Sequence, residues 1–261
     1  MKIATWNINS IRIRIDQAIK FLRRYKIDVL CLQETKVSNE SFPLGIFQNE
    51  GYNYIKVNGQ KQYNGVATIS RIPIKKHSIK KFVNSEEKRH LSVTLNNNFE
   101  IHNFYFPAGG SEPDAKKNNK FADKLKFYQE VENWSKKQKY KKNSILLGDM
   151  NVAPLPSDVW DHKKLLTVVS HTPIEVKYYN SLYNSCDWVD AVRLIKGNQK
   201  KIFTWWSYRS SNWKTYNKGR RLDHIWINKS LNKRINDIKI IESLRNETRP
   251  SDHVPIILNI T

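Results

Sequence analysis

The chain has 261 residues, 39% of them hydrophobic, and its 8 Trp, 12 Tyr and 10 Phe supply enough apolar surface to exclude a wholly disordered protein. Its 45 Lys and Arg outnumber 24 Asp and Glu, and the resulting net charge of +21 favours a polyanionic partner such as nucleic acid. Only two cysteines, Cys31 and Cys186, are present, which excludes a four-thiolate zinc site and a disulfide scaffold.

Membrane insertion and secretion are not expected from the hydropathy pattern. No stretch approaches the roughly 18 consecutive apolar residues of a membrane span, and residues 1–7 lack the apolar core of a signal peptide. We therefore expect a soluble protein of the cytoplasm. We further expect it to be bacterial and monomeric. No composition break or short repeat divides the sequence, so we predict a single domain over residues 1–261.

The first predicted elements are a strand over residues 2–6, a helix from Ser10 to about residue 25, and a strand over residues 28–32. The helix is indicated by Ile15, Ala18, Ile19 and Leu22, which recur at helical spacing after a possible N-cap. Further strands are predicted over residues 52–57, 65–70, 90–95 and 99–106, and a helix over residues 121–134.

The remaining prediction is a strand over residues 145–147, a loop containing Pro154 and Pro156, and a helix that starts at Thr172-Pro173. Later strands are predicted over residues 202–206, 222–227, 237–241 and 254–260. Many strands with few helices between them favour an α/β fold in which two sheets pack face to face with helices outside.

The most informative motif is Gly148-Asp149-Met150-Asn151, which follows the apolar run at residues 145–147. In an extended chain Asp149 and Asn151 would point to the same side, at the strand end where layered α/β folds tend to bind ligands. A carboxylate can take a proton from water, and an amide can hold that water. The alternative is an ordinary polar turn, in which Gly, Asp and Asn are common.

Other polar groups lie at or just beyond predicted strand ends, namely Asn7, Glu34, Tyr105, Asp223, Asp252 and His253. Several such groups on separate elements indicate a site assembled on a rigid scaffold. Oxygen ligands such as Glu34 suit Mg²⁺, His253 could stabilise developing negative charge, and Asp223 could fix its tautomer. The other histidines have no comparable setting and are interpreted as structural: His77, His90, His102, His162, His171 and His224.

The second informative feature is a basic and aromatic segment between Asp190 and Asp223, which contains no carboxylate. Cations can neutralise phosphates, and aromatic rings can stack on bases. Some members can instead belong to the core, and we favour the loop over residues 209–221 for DNA contact. A Lys-rich segment over residues 116–142 is interpreted as a solvated helix face plus loop, with DNA contact as the alternative. The cations and aromatic residues of the first segment are Arg193, Lys196, Lys200, Lys201, Arg209, Lys214, Lys218, Arg220, Arg221, Phe203, Trp205, Trp206, Tyr208, Trp213 and Tyr216.

An ordered set of short motifs extends over almost the whole chain and resembles the exonuclease III family of apurinic/apyrimidinic (AP) endonucleases, within the endonuclease/exonuclease/phosphatase superfamily. Each motif is weak alone, but the ordered set is specific. The motifs are Asn7-Ile8-Asn9-Ser10-Ile11-Arg12, Leu32-Gln33-Glu34-Thr35-Lys36, Gly65-Val66-Ala67, Tyr105-Phe106-Pro107, Gly148-Asp149-Met150-Asn151, Arg221-Leu222-Asp223 and Ser251-Asp252-His253.

The resemblance implies a four-layer α/β sandwich of two mixed β-sheets flanked by helices. It also implies cleavage of duplex DNA 5′ to abasic sites that depends on Mg²⁺, for which Mn²⁺ could substitute. Exonuclease activity in the 3′→5′ direction and repair of 3′ ends are further expectations. Rival interpretations are a phosphatase of the same superfamily and a basic nucleic-acid-binding protein without catalysis.

By position, the resemblance makes Glu34 a metal ligand, Asp149 and Asn151 the water-activating pair, and Asp223 with His253 a carboxylate–imidazole pair. Tyr105 would lie on the phosphate side. The wider set of candidate metal ligands is Asn7, Glu34, Asp149, Asn151, Asp252 and His253, and the candidate DNA-binding residues are Arg209, Lys214, Lys218, Arg220, Trp205 and Leu222.

The sequence departs from the family pattern at a few positions. Ser10 replaces a usual Gly and Met150 a common Phe. Ala108 stands where Asn or Gln often contacts phosphate. Arg220 stands where several members carry a Trp beside the abasic-sugar pocket, so Trp205 and Leu222 are expected to form that wall.

Overall fold

The computed structural model describes residues 1–83, 86–138, 142–209 and 212–261. Parts of the Lys-rich segment (139–141) and of the basic loop (210 and 211) therefore lie outside the described residues. The strands are β1 (Lys2–Asn7), β2 (Val29–Gln33), β3 (Tyr54–Asn58), β4 (Val66–Ser70), β5 (Ile74–Ser78), β6 (His90–Leu95), β7 (Glu100–Tyr105), β8 (Ser144–Asp149), β9 (Trp188–Asp190), β10 (Trp205–Trp206), β11 (Gly219–Arg220), β12 (Asp223–Asn228), β13 (Ile235–Ile240) and β14 (Ile256–Ile260).

The helices are α1 (Ile11–Tyr25), α2 (Leu44–Asn49), α3 (Asn119–Lys136), α4 (His162–Leu165), α5 (Pro173–Asn184), α6 (Ala191–Lys196) and α7 (Trp213–Tyr216). Short 3₁₀ helices cover Pro156–Asp158, Lys229–Arg234 and Glu242–Asn246. In the part of the chain that the structure describes, no helix combines the length and apolarity needed to cross a membrane.

Two six-stranded mixed sheets form the centre of the molecule, in the orders β13-β14-β1-β2-β4-β3 and β5-β6-β7-β8-β12-β9. Their facing surfaces share one apolar core, to which Ile3, Cys31, Ile145 and Leu147 contribute. The alternate residues of the same strands face outwards, where Leu30 packs in a cluster with α1 and Leu146 in a cluster with α3 and α5. Because these strands are buried on both faces, they are continuously apolar. The expected four-layer sandwich is confirmed.

Several local predictions need correction. The strand expected over residues 202–206 is reduced to Trp205–Trp206, since Ile202 and Thr204 donate their amides to Ser157 and Arg220 rather than to one strand. The sequence pattern also failed to predict β5, whose lysines are exposed at a sheet edge and show no apolar alternation.

The start of α1 differs from an ordinary capped helix. Ser10 occupies the N-cap position with φ of 86°, but its side chain forms no capping hydrogen bond. Instead the amides of Ser10 and Ile11 donate to the carbonyls of Glu34 and Thr35 at 2.8 and 3.1 Å. Main-chain contact with the loop after β2 therefore satisfies two of the amides that the start of a helix leaves without an intrahelical partner.

Candidate active site

The candidate site lies at one edge of the two sheets, where strand ends from both sheets meet. β1 and β2 are parallel, as are β7 and β8, so their carboxyl ends deliver Asn7, Glu34, Tyr105 and Asp149 to this edge. β12 and β14 run in the opposite direction. Their starting ends therefore deliver Asp223, which pairs directly with Asp149, and the residues just before β14.

Asp149 and Asn151 are brought together as expected, but not by extended-chain alternation. Asn151 has φ of 54°, in the left-handed region. The resulting turn lets the Asn151 main-chain amide donate to Asp149 Oδ1 at 2.9 Å and its side-chain Nδ2 donate to Asp149 Oδ2 at 3.2 Å. A second bond from Nδ2 to the carbonyl of Phe106, 2.9 Å long, holds the amide in one orientation.

Asn7 links the carboxylates of the two sheets. Its Nδ2 donates to Glu34 Oε1 at 3.0 Å and to Asp149 Oδ2 at 2.9 Å. Tyr105 donates its hydroxyl to the same Glu34 oxygen at 2.7 Å, and Lys36 pairs with Glu34 Oε2 at 2.8 Å. Burial alone would raise the pKa of Glu34, but Lys36 and these donors lower it, so the carboxylate is ionised at neutral pH.

His253 lies between two buried carboxylates. Its Nδ1 is 2.8 Å from Asp223 Oδ2, and its Nε2 is 3.7 Å from Asp149 Oδ2. Burial alone would lower the pKa of His253, but Asp223 and Asp149 outweigh it and raise that pKa to about 10. Burial raises the pKa of Asp149 to about 7 against the opposing charge of His253. The imidazole is thus a cation with one nitrogen held by Asp223 and the other turned towards Asp149.

Asp252 has a different environment from its neighbour His253. Its two carboxylate oxygens accept hydrogen bonds from Asn9 Nδ2 and Trp205 Nε1, both at 2.9 Å. Burial alone would raise the pKa of Asp252, but His253 and these donors lower it. The carboxylate is therefore charged and fixes the Trp205 ring at the rim of the site.

These side chains open onto one cleft of about 400 Å³. Asn7 and Asp223 lie behind its surface and orient the groups in front of them. The described residues that line the cleft are Glu34, Tyr105, Ala108, Gly110, Ser111, Asp149, Asn151, Val168, Val169, Ser170, Trp205, Arg220, Leu222, Asp252 and His253. The expected wall of Trp205 and Leu222 therefore borders the same space as the polar cluster.

Arg220 occupies a fixed position at the boundary of this cleft. Its Nη1 donates to the carbonyl of Val169 at 2.8 Å and to Ser170 Oγ at 2.7 Å. Its guanidinium carbon lies 5.3 Å from the centre of the Trp205 ring. A cation stacked on an aromatic ring thus completes the wall.

The oxygen donors fit a hard divalent cation. Glu34 and Asp149 both contact one amide nitrogen of Asn7, so two carboxylates lie close together beside the cleft. Asp149, Asp223 and His253 also present ligand atoms within 4.8 Å of one another. We favour the Glu34 side for a cation, because His253 is engaged by Asp223 and carries a proton. Asn7 turns its nitrogen, not its oxygen, towards the carboxylates, so as placed it orients them.

The sequence pattern missed Lys124, which lies in the Lys-rich segment interpreted as a solvated face. Lys124 is completely buried. Its Nζ pairs with Glu175 and donates to the carbonyls of Asn151 at 2.8 Å and Ala108 at 3.2 Å. Glu175 in turn accepts the amide of Ser170 at 2.9 Å. One buried cation therefore joins three segments that line the cleft, and no local pattern separates it from the exposed lysines nearby.

The basic segment divides into buried and exposed parts. Arg193 and Arg221 are buried and pair with Asp158, so these two cations are unavailable to a nucleic acid. Lys214 and Lys218 are exposed. Arg209, Lys218 and Arg220 line a second pocket beside the cleft, which also contains Trp205.

Known proteins resemble this chain in both sequence and overall structure. The sequence profile of the Endonuclease/Exonuclease/phosphatase family matches residues 4–253. Exodeoxyribonuclease III of Haemophilus influenzae is 33% identical over 268 residues, which cover 98% of each chain. An AP endonuclease from Archaeoglobus fulgidus has a similar structure, with a TM-score of 0.90 and 31% identity over 100% of this chain and 99% of that one.

A Neisseria 3′ phosphatase bound to a product DNA hairpin is also similar, with a TM-score of 0.92 and 26% identity over 100% of this chain and 99% of the other. The sequence match and the structural matches thus both extend over nearly the full length. The chain therefore belongs to the endonuclease/exonuclease/phosphatase family.

Proposed function

We propose that this protein is a DNA repair nuclease that hydrolyses phosphodiester bonds 5′ to abasic sites in duplex DNA. The observation that carries the proposal is the convergence of Glu34, Asp149 and His253 at one cleft. A general base, an ionised carboxylate and a fixed cationic imidazole are groups that can catalyse phosphodiester hydrolysis. The similarity to exodeoxyribonuclease III and to an AP endonuclease supports DNA as the substrate.

Asp149 is the group we assign to proton transfer. Burial raises its pKa to about 7, which makes its carboxylate a better base than an exposed aspartate while leaving much of it ionised at neutral pH. Asn151 is held by Phe106 and Asp149, so its amide oxygen can accept a hydrogen bond from the same water. The pair would orient a water molecule and remove its proton.

His253 is the group we assign to charge stabilisation. Asp223 accepts a hydrogen bond from His253 Nδ1–H, so the Nε2–H is directed at Asp149 and the cleft. As negative charge grows on the phosphate, this N–H can donate to it, and donors fixed in a water-poor site act most strongly on developing charge. Tyr105 keeps its proton, since burial and the nearby carboxylates raise its pKa well above the ordinary value.

Mg²⁺, or Mn²⁺ in its place, is the cation we propose for the carboxylate side of the cleft, with Glu34 as the principal ligand. Of the other ligands expected from the sequence, Asp149, Asn151 and Asp252 remain candidates. As placed, Asn7 and His253 do not, because Asn7 directs its nitrogen at the carboxylates and the cationic His253 carries a proton on each ring nitrogen. A bound divalent ion would withdraw charge from the phosphate oxygens. The oxygen-rich donor set is the type that Mg²⁺ prefers.

A second proposed activity is the removal of nucleotides and blocking groups at 3′ ends. The structural neighbour from Neisseria is a 3′ phosphatase bound to a product DNA hairpin, and its match extends over nearly the full length of both chains. We also infer that residues 1–261 form a single domain, because the two sheets share one core, and we propose that this domain acts as a monomer.

The decisive experiment is cleavage of a labelled duplex with a single abasic site, with and without Mg²⁺. We expect one nick 5′ to the abasic site in Mg²⁺ or Mn²⁺ and none in excess EDTA. Undiminished cleavage in EDTA would refute the metal requirement. Release of phosphate from inositol phosphates with no cleavage of DNA would instead favour a phosphatase of the same superfamily.

A further inference from the structure

A second pocket lies beside the reaction cleft and has a distinct composition. It encloses about 380 Å³ and is lined by Trp160, Trp205, Ser207, Arg209, Tyr216, Lys218 and Arg220. Among the described residues that line it there are three aromatic rings and three cations, and no carboxylate. Its volume falls in the range typical of small-ligand sites, roughly 300–1,000 Å³.

The pocket and the reaction cleft share one wall. Trp205 and Arg220 line both spaces. Asp252 holds the Trp205 indole nitrogen, while Val169 and Ser170 hold the Arg220 guanidinium. A polynucleotide strand with one phosphate in the reaction cleft would therefore bring an adjoining nucleotide to the second pocket.

Residues 213–218, which supply part of the pocket lining, are anchored to the fold. They lead directly into β11, which pairs with β10 in a two-stranded ribbon. Trp213 packs against Trp206 with ring centres 5.0 Å apart, and Asn217 accepts the Trp206 indole N–H at 2.9 Å. The adjoining Tyr216 and Lys218 are thereby presented by a fixed turn.

On the opposite side, Trp160 comes from the segment after β8. Its main-chain amide donates to the carbonyl of Gly219 at 3.1 Å, and its ring packs against the apolar clusters beneath the pocket. Trp160 is therefore joined to the same ribbon as residues 213–218.

Lys218 marks the place where a base would bind. Its Nζ lies 5.2 Å from the centre of the Trp160 ring and 5.6 Å from the centre of the Tyr216 ring. Stacking of a base on an aromatic side chain is worth more than an exposed cation–π contact. A base can therefore displace the ammonium from the rings, and the freed ammonium can pair with a phosphate.

We propose that this pocket is a nucleotide subsite that stacks a base on Trp160 and Tyr216 and pairs its phosphate with Lys218, Arg209 and Arg220. The assignment rests on the proposed function for its biological substrate. The aromatic faces stack on any base, so the subsite favours a nucleotide next to the reacting phosphate without selecting its sequence.

The test uses duplexes that contain one abasic site and one 2-aminopurine, placed at each flanking position in turn. Binding is measured in the Asp149→Asn background, so that the substrate is not consumed. We expect 2-aminopurine fluorescence to be quenched at a particular flanking position. Trp160→Leu and Tyr216→Leu should each relieve that quench and weaken binding about fivefold or more. Tyr54→Leu, a partly exposed tyrosine on β3, is the matched control.

Because Trp160 also packs against the core, Lys218→Gln supplies an independent measure. It should flatten the dependence of log K on log salt by roughly 0.9. An unchanged quench in both ring variants, or an unchanged salt slope in Lys218→Gln, would overturn the subsite even if abasic DNA is cleaved normally.

Titration with deoxyadenosine monophosphate, followed by isothermal titration calorimetry, separates the subsite from the nuclease activity. Saturable binding that is lost in Trp160→Leu supports the subsite. If the protein nevertheless fails to cleave abasic DNA, only the proposed function is refuted. Equal binding by wild type and by Trp160→Leu would contradict the assignment.

Discussion

Two clusters of buried charge differ in ways that separate chemistry from architecture. The reaction cluster comprises Glu34, Asp149, Asp223 and His253, and the arginine network comprises Asp158, Asp190, Arg193 and Arg221. In the network two cations balance two carboxylates. In the reaction cluster the imidazole of His253 faces Asp149 and Asp223, while Glu34 pairs with Lys36. Asp223 Oδ1 is buried without a hydrogen-bond partner.

The same residue type responds in opposite ways in the two clusters. Burial raises the pKa of Asp149 to about 7. Burial acts in the same direction on Asp190, but the charge of Arg221 outweighs it, and the pKa of Asp190 falls below its ordinary value. Burial alone therefore does not mark a reactive carboxylate. Asp149, the proposed reactive group, differs from Asp190 in that its cationic partner, His253, lies 3.7 Å away and in that it opens onto a cleft.

The largest expected effect comes from Asp149→Asn, which removes the basic oxygen but keeps the size of the side chain. Single-turnover cleavage of abasic DNA in Mg²⁺ should slow by about 10²–10⁴-fold. DNA affinity, measured by fluorescence anisotropy, should hold or rise because one negative charge facing a polyanion is lost. A variant that cleaves at nearly the wild-type rate, or that fails only to bind, would show that Asp149 has another role.

Arg221→Leu should act on stability instead of chemistry. It leaves Asp158 and Asp190 buried with one partner fewer, and breaking a buried pair in this way costs about 3–5 kcal/mol. Denaturant unfolding measures this loss directly. Arg24→Leu, a change at an exposed arginine, is the control. Its free energy of unfolding should stay within about 0.5 kcal/mol of the wild-type value. A similar stability for both variants would remove the distinction between the two clusters.

Lys124 tests a case between the two clusters, because it is a buried cation paired with Glu175 that also bonds to Ala108 and Asn151 at the cleft wall. Lys124→Met should destabilise the protein and lower kcat by on the order of tenfold to a hundredfold through misplacement of the Asn151 turn. The double variant Lys124→Met/Glu175→Gln should regain stability, since no buried charge is left unpaired. If kcat recovers together with stability, Lys124 has no positioning role.

The smallest effect is the pH dependence contributed by Asp190. A carboxylate whose pKa is lower in the folded protein stabilises the fold above its unfolded pKa of about 3.9, and that stability is lost as the pH falls. Below about pH 4, the free energy of unfolding should therefore fall with pH more steeply in the wild type than in Asp190→Asn. The two slopes should differ by up to roughly 1.4 kcal/mol per pH unit. Equal slopes for the two proteins, measured by urea unfolding at a series of acidic pH values, would contradict this prediction.

The sequence predicted which strands deliver polar groups, because continuous apolar runs followed by Asn, Glu, Asp or His are local patterns. It did not predict how Asp149 and Asn151 meet, since the positive φ of Asn151 is imposed by contacts with Phe106 and Asp149. The sequence also did not predict that Arg193 and Arg221 are unavailable to phosphate, because their carboxylate partner is distant in sequence. Asp158 is their partner, and it lies 63 residues before Arg221.

The pairing of β1 with β14 has a consequence for the order of folding. Trp6 donates its indole N–H to the carbonyl of His253 across 247 positions, and Ser251 Oγ donates to the carbonyl of Asn7. Contacts of such long sequence separation form late, because a large loop must close first. During synthesis, β14 must therefore emerge from the ribosome before the imidazole of His253 can reach Asp149. A nascent chain thus carries the positive charge that attracts nucleic acid well before its active site is complete.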